Sequence, residues 1–178
     1  MWLIKKLRHF LVDWANEDYG TSICLKVFQI RKSIYLCGGG VRKQFLIKIY
    51  NRKCHECNAF IPLSCKIGSN VLFPHGLYGI FISQGASIGN DCCIFQQVTI
   101  GSNTLPDSKK NGAPIIGDNV FVGAGAKIIG GITVGNNVRI GANAIITKNI
   151  PDNTTVIGIN NVISYNKIND NTFISYKN

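Results

Sequence analysis

The stretch that decides the fold is IGDNVFVGAGAKIIGGITVGNNVRIGANAIITKNIP, residues 116–151. An aliphatic residue occupies every sixth position: Ile116, Val122, Ile128, Val134, Ile140 and Ile146. A second apolar residue follows four positions after each of them: Val120, Ala126, Ile132, Val138, Ala144 and Ile150. A period of six fits neither an α-helix, with 3.6 residues per turn, nor a strand, whose side chains alternate. It predicts short straight segments joined by regular bends.

The same period continues upstream of residue 116 with two interruptions. Its earlier aliphatic or aromatic positions are Ile61, Ile67, Phe73, Ile82, Ile88, Ile94 and Ile100. Three extra residues follow Phe73 and ten follow Ile100. We predict a three-sided helix over residues 59–163, in which about 18 residues form each turn, here called a coil. Each coil should be supported by the coils above and below it. The first apolar residue of each unit should point inward, and Gly and Asn should supply positive φ at the bends.

This pattern resembles the hexapeptide repeat of left-handed β-helix acyltransferases. The resemblance implies a mainly β fold, a left-handed parallel β-helix that assembles as a homotrimer. Two segments carry it further, IFQQVTIGSNT at 94–104 and the run from Ala113 to Asn153. They resemble serine acetyltransferases and, more closely in pattern, bacterial polysaccharide O-acetyltransferases of the colanic-acid type.

Residues 1–58 lack the repeat and are basic. They contain eleven Lys and Arg against four Asp and Glu, a net charge of +7 within the chain's total of +10. Segments 5–18, 21–36 and 41–54 look helical, and CGGG at 37–40 separates the last two. We predict a helical N-terminal cap that covers the open end of the first coil. The tail, 164–178, should be a final strand or an arm on a neighbouring subunit.

The basic charge of the cap allows three interpretations: a solvated helix face, contact with an anionic membrane, or contact with nucleic acid. No nucleic-acid motif accompanies the charge, so we expect no nucleic-acid partner. Peripheral membrane contact stays open because an apolar stripe could lie beside Lys5, Lys6 and Arg8; its members are Trp2, Leu3, Ile4, Leu7, Phe10, Leu11 and Trp14. The start resembles no signal peptide, and no apolar run is long enough for a membrane span, so we expect a cytoplasmic protein.

The seven cysteines are odd in number and irregularly spaced, which predicts reduced thiols rather than a disulfide framework. The motif CHEC, 54–57, could suggest zinc. A single Cys-x-x-Cys without a second pair is weak support for such a site, and we expect no metal.

His75 is the one histidine inside the repeat, since His9 and His55 precede it. As the third residue of the unit begun by Phe73, it should lie at a corner, and the extra residues after it should push the backbone outward. In the acyltransferases that the chain resembles, a corner histidine removes the proton of the acceptor group. Imidazole suits this role because it titrates near neutral pH. The resemblance makes His75 the catalytic base; a structural or surface histidine is the alternative.

The second interruption, residues 101–114, contains the polar, Pro and Gly residues of a loop. A loop of this length is usually functional or disordered. In the enzymes that the chain resembles, it projects toward the next subunit and helps to wall the active site.

The resemblance also implies acetyl-CoA as co-substrate, bound in a groove between two subunits. Carried over by position, small residues line the pantetheine arm: Gly101, Gly123, Ala124 and Ala142. The candidates at the phosphate end are basic: Lys127, Arg139 and Lys148. Gly and Ala permit close backbone approach, but the bends of the repeat require small residues as well.

The chain departs from serine acetyltransferases around the acceptor. Pro74 stands where they carry an acid, and Gly112 and Ala113 stand where they carry an Arg-His pair before the loop-closing proline. The acid that orients their histidine falls opposite Phe60, so another group must hold His75. We therefore expect that the acceptor is a sugar hydroxyl in surface polysaccharide synthesis, contacted by Gln96 and Gln97, which occupy the corner that follows Ile94. The alternatives are acetylation of serine or another small molecule, and a non-catalytic β-helix scaffold.

Overall fold

The computed structural model describes residues 19–164 and residue 171, with side chains at 26–163 and 171. Two helices precede the repeat, α1 (Tyr19–Leu36) and α2 (Gly40–Glu56). They are separated at a glycine run in which Gly39 and Gly40 have φ of 138° and 75°. The predicted helices at 21–36 and 41–54 are confirmed. The predicted helix at 5–18 and the apolar stripe of residues 2–14 lie outside the described residues.

Thirteen short strands follow the helices in the described part of the chain. Their bounds are β1 Lys66–Ile67, β2 Phe81–Ile82, β3 Ser87–Ile88, β4 Cys93–Ile94, β5 Thr99–Gly101, β6 Ile115–Ile116, β7 Phe121–Val122, β8 Lys127–Ile129, β9 Thr133–Val134, β10 Arg139–Ile140, β11 Ile145–Ile146, β12 Thr154–Ile157 and β13 Asn161–Ser164.

The strands form three sheets that the chain visits in rotation. Face A contains β2, β5, β8 and β11; face B contains β1, β3, β6 and β9; face C contains β4, β7, β10 and β12, with β13 at its edge. All pairs are parallel except β12 with β13. The repeat therefore winds into the three-sided parallel coil that its period predicts. We name its edges the AB, BC and CA corners after the faces that they join.

The inward positions of the repeat form one continuous core. Side chains such as Ile94, Ile128 and Ile140 are completely buried, and so are Val120, Val138 and other residues of the second apolar position. Identical spacing in successive coils stacks these side chains on one another, as in the register Ile94 to Val122 to Ile140. Burial of this apolar surface is the main stabilising contribution to the coil.

The BC corner shows why the motif Gly-Asx-Asx recurs at 89–91, 117–119 and 135–137. The third residue has φ of 53° at Asn119 and 56° at Asn137, and the equivalent Asn153, which follows Pro151 and Asp152, has 57°. The amide of Asn119 donates to Asn137 Oδ1 at 2.9 Å, and that of Asn137 donates to Asn153 Oδ1 at 3.0 Å. The preceding glycine is needed for space, since a Cβ on Gly89 would lie 2.5 Å from the carbonyl oxygen of Gly117. The predicted positive φ thus falls mainly on the third residue of this motif, not on the glycine.

Helix α1 is joined to the first coil through Arg31, which is only 5% exposed. Its guanidinium donates to Tyr50 Oη at 3.0 Å and to the carbonyl oxygens of Pro62 at 2.9 Å and Leu63 at 3.1 Å. The ring of Phe28 stacks on Phe73 at a centroid distance of 5.3 Å. The helices therefore pack against the first coil, as expected of a cap. Among the described residues, no helix has the length and apolar character to cross a membrane.

Candidate active site

His75 lies at the CA corner, two residues after the buried Phe73, and its side chain is exposed. Leu72 pairs with Cys93, so the segment before His75 continues face C by one coil. The insertion after His75 differs from the expected outward loop. Leu77 and Ile80 are completely buried, because the inserted turn adds apolar side chains to the core.

The imidazole of His75 is held by two neighbours on the next coil. Its Nδ1 lies 2.7 Å from Gln96 Oε1. Its ring meets Phe95 edge-on, with centroids 5.2 Å apart and an interplanar angle of 89°, and Phe95 packs on Phe121 at 5.1 Å. The Nε2 atom carries no hydrogen bond to a described residue. The exposed ring is thus restrained on one side, and its Nε2 is left without a hydrogen bond to the described residues.

Gln96 is the group that sequence reasoning missed as the partner of His75. It occurs 21 residues after His75, which equals one 18-residue turn plus the three inserted residues. That spacing places the two residues at equivalent positions of adjacent coils. Counting the insertion into the turn would have identified the pair from the sequence.

The CA corner brings together part of the predicted acetyl-CoA set. His75, Gln96, Ala124 and Ala142 occupy equivalent positions in successive coils, because Phe73, Ile94, Val122 and Ile140 are in register on face C. Gly123 adjoins this column, and a Cβ there would lie 2.6 Å from the backbone nitrogen of Ala142. Coil packing alone therefore requires Gly123.

The remaining predicted residues lie elsewhere on the coil. Gly101 and Lys148 follow the inward residues of face A and so belong to the AB corner. Arg139 is on face C, where its Nε donates to Asn171 Oδ1 at 3.2 Å. Lys127 is on face A, in β8. Within one chain, the predicted acetyl-CoA contacts are thus divided between two corners and two faces.

Beside the CA corner is an open groove of about 690 Å³, here called the corner groove. It is lined by Glu56, Cys57, Asn58, Tyr78, Gly79, Phe81, Gln96, Gln97, Thr99, Gly125, Lys127 and Asn143. Lys127 Nζ donates to the carbonyl oxygen of Gln97 at 2.8 Å. Gln96 lines the groove and contacts His75, so the groove adjoins the imidazole. Lys127 therefore shares this groove with Gln96, the hydrogen-bond partner of His75.

The long loop is anchored at the AB corner. Asn103 and Gly112 exchange two backbone hydrogen bonds of 2.9 and 2.8 Å, and Gly131 donates to the carbonyl oxygen of Lys110 at 2.8 Å. These contacts argue against a disordered insertion. The loop closes on the AB corner, away from His75 of the same chain.

The cysteines of the CHEC motif belong to the junction between helices and coil. Cys54 and Cys57 are buried, and burial raises the pKa of the Cys54 thiol to about 11. Within residues 19–164 and 171, no three His, Cys, Asp or Glu side chains stand together as metal ligands.

Known proteins similar to this chain point to one enzyme family. The family model described as bacterial transferase hexapeptide (six repeats) matches residues 113–148. Serine acetyltransferase of Buchnera aphidicola from Acyrthosiphon pisum is 38% identical over 83% of this chain and 54% of its own length. The enzyme from the Schizaphis graminum strain is 47% identical over 62% of this chain and 46% of its own. The chain thus spans about half the length of the curated relatives that it matches.

Solved structures give the same result. Serine acetyltransferase of Neisseria gonorrhoeae matches with a TM-score of 0.66 at 26% identity, over 83% of this chain and 55% of that chain. Isoform 3 from Entamoeba histolytica, in complex with cysteine, matches with a TM-score of 0.61 at 32% identity, over 87% of this chain and 51% of that chain.

These findings correct the expected acceptor. The curated relatives and solved structures are serine acetyltransferases, so the prediction of sugar O-acetylation in polysaccharide synthesis, with its closer likeness to the colanic-acid type, is wrong. It depended on a few absent acceptor residues, and their absence is no positive sign of a sugar site. The amide oxygen of Gln96, moreover, is engaged with His75. In its repeat, its parallel three-sided coil and these relatives, the chain is similar to the hexapeptide-repeat acyltransferases.

Proposed function

We propose that this chain transfers the acetyl group of acetyl-CoA to the hydroxyl of L-serine, with His75 as the general base. The similarity to serine acetyltransferases across most of the chain carries the proposal. A restrained imidazole whose Nε2 makes no hydrogen bond to the described residues supports the catalytic role of His75.

The proposed reaction needs one base. Nε2 of His75 removes the hydroxyl proton while the serine oxygen attacks the thioester carbonyl carbon, forming the C–O bond. The C–S bond then breaks, and the imidazolium returns its proton to the leaving thiolate. The products are O-acetylserine and CoA, and His75 is again neutral.

We place the reacting end of acetyl-CoA along the CA corner, beside Gly123, Ala124 and Ala142. Their small side chains allow a thin substrate arm to approach the backbone. One of the solved serine acetyltransferase structures similar to this chain is a complex with CoA. Arg139 and Lys148 remain the predicted phosphate contacts.

A homotrimer of left-handed β-helices is part of the proposal. If adjacent protomers meet along their corners, the AB corner of one, with Gly101 and Lys148, can complete the cleft at the CA corner of the next. The predicted acetyl-CoA contacts that lie apart within one chain would then line the same cleft. Large apolar side chains exposed on the coil support such burial, and they include Phe60, Leu72, Phe81, Ile115, Ile145 and Ile157.

We further propose that Lys127 contacts the carboxylate of serine rather than a phosphate of CoA. The pantetheine arm separates the phosphates from the thioester, whereas Lys127 lies in the groove that adjoins His75. Its cation could serve in place of the Arg-His pair that Gly112 and Ala113 replace. In a Lys127→Met variant the KM for serine should rise with little change in the KM for acetyl-CoA. The opposite pattern would restore the phosphate assignment.

The acceptor itself is tested by a panel assay. The purified full chain is incubated with acetyl-CoA and either L-serine, D-serine, nucleotide sugars or oligosaccharides, and released CoA thiol is measured. L-serine should give the highest kcat/KM, with O-acetylserine identified by mass spectrometry. CoA release with sugars alone, or no release above thioester hydrolysis with any acceptor, would refute the proposal.

A further inference from the structure

We propose that Gln96 is a positioning residue that acts through His75 by keeping the imidazole proton on Nδ1. The inference rests on the proposed function, because it assigns Gln96 a task in a reaction for which His75 is the base. It replaces the predicted role of Gln96 as a substrate contact.

The contact itself carries the inference. His75 Nδ1 and Gln96 Oε1 are 2.7 Å apart, a distance typical of a strong hydrogen bond. An amide oxygen only accepts, so Nδ1 must donate and must carry the proton. Neutral imidazole then has its lone pair on Nε2, the atom without a hydrogen bond to the described residues.

Gln96 is itself held in place by the coil. Its backbone carbonyl oxygen accepts a hydrogen bond from the backbone nitrogen of Gly125 at 3.0 Å, and the next residue, Gln97, has a positive φ of 61°. Phe95 braces the ring of His75 from the same coil. The two contacts restrict both the ring plane and the tautomer, so little reorganisation remains when the acceptor binds.

The neutral amide also distinguishes this chain chemically. A carboxylate beside Nδ1 would favour the imidazolium through its charge, whereas an amide oxygen offers a hydrogen bond without a full charge. The position expected to carry the orienting acid is Phe60, and its side chain is 55% exposed on face A, where it pairs with Phe81. Gln96 therefore supplies the orientation that a carboxylate supplies elsewhere, with less bias toward the charged base.

The first test reads the tautomer directly and needs no substrate. Histidine labelled with ¹⁵N is incorporated into the full chain, and long-range ¹H–¹⁵N spectra are recorded above the titration of imidazole, with His75→Ala used to identify the signal. The spectrum should show His75 protonated at Nδ1. Protonation at Nε2 in the wild-type protein would overturn the inference, because Gln96 would then be donating its amide.

The second test is kinetic. Gln96→Met removes the acceptor at similar volume. The kcat for serine should fall by roughly tenfold or more, a part of the roughly 10²–10⁴-fold acceleration that a general base contributes, with little change in KM. Gln96→Glu restores an acceptor and should recover much of kcat, with the acid limb of the pH–rate profile moved to higher pH. Gln44→Met, which changes an exposed glutamine on α2, is the control and should behave as wild type.

The outcomes separate the two proposals. If His75→Ala abolishes transfer but Gln96→Met keeps wild-type kcat and the Nδ1–H tautomer, the role of Gln96 is refuted and the proposed function stands. If His75→Ala retains full activity, the proposed function fails. Thermal unfolding of each variant excludes loss of fold, and should Gln96→Met fail to fold, the Gln96→Glu profile and the wild-type spectrum still decide.

Discussion

At the scale of single residues, the glycines of the BC corner show where sequence reasoning was partly right. Their positions follow from the period, but the expected reason, positive φ, applies to Asn119 and Asn137 instead. Gly117 is needed because a Cβ would lie 2.7 Å from Asn136 Oδ1 and 2.8 Å from the carbonyl oxygen of Gly135. A one-dimensional pattern locates a bend but does not show which backbone atoms of the next coil approach it.

Replacing Gly117 with Ala should therefore destabilise the protein by roughly 2 kcal/mol or more, as expected of overpacking against backbone. The control is Gly38→Ala, where a Cβ meets nothing within 4 Å. Urea denaturation followed by circular dichroism measures both variants. Equal midpoints for the two would show that the coils can separate to admit a methyl group.

The repeat also does not show which side chains contact each other in the candidate active site. The period located His75 at a corner, and the resemblance suggested its role, which remains a proposal. Its partner Gln96 was predicted for the acceptor instead, because the insertion between Phe73 and Ile82 obscured the one-turn spacing. A side chain's choice between a neighbour and a substrate depends on rotamers, which the repeat does not encode.

At the scale of elements, the junction between α1 and the first coil depends on one buried cation. The carbonyl groups of Pro62 and Leu63 lie where the chain leaves the helices, and the guanidinium of Arg31 satisfies both. Tyr35 adds a hydrogen bond to the carbonyl oxygen of Leu63. The sequence predicted the cap from its helical composition but gave no sign that Arg31, among eleven basic residues, would be the one buried.

Arg31→Met should loosen this junction and cost about 3 kcal/mol, since it removes the Arg31 donor from the part-buried carbonyl of Pro62 and the buried carbonyl of Cys65. Amide hydrogen exchange should accelerate in α1 and residues 59–65, while β7 to β10 remain protected. The matched control is Arg52→Met, which removes an exposed ion pair with Glu56 and should cost less than about 1 kcal/mol. Uniform exchange across the coil in Arg31→Met would contradict a local role for the junction.

At the scale of the whole molecule, the period of six predicted most of the architecture, because it constrains every coil in the same way. The parallel pairing, the three faces and the core follow from residues such as Ile94, Val122 and Ile140. The acceptor could not be predicted so well. It depends on a few exposed side chains around Lys127 and Gly112, which the packing of the coil does not constrain.

Several buried thiols should make the free energy of unfolding fall at alkaline pH. Burial raises the pKa of Cys54, Cys92 and Cys93 to about 11 each, from 9.0. The folded protein therefore keeps protons that the unfolded chain releases near pH 9. The protonated thiols should contribute their full stabilisation below pH 9. As the pH rises toward 11, the free energy of unfolding should fall by at least about 1 kcal/mol.

Urea denaturation at pH 7.5, 9 and 10.5 measures this dependence. A Cys93→Ala variant should show a shallower decline between pH 9 and 10.5, because it lacks one of the three thiols. A decline in the variant as steep as in the wild type would mean that Cys93 does not contribute to it.

The most direct test of the central claim is the rate of acetyl transfer from acetyl-CoA to L-serine by the wild-type chain and by His75→Ala and His55→Ala, assayed side by side. His55 is exposed near the end of α2 and serves as the control. We predict that His75→Ala lowers kcat by at least about 100-fold, the lower range for loss of a general base, while His55→Ala matches the wild type. Undiminished transfer by a folded His75→Ala protein would contradict the account.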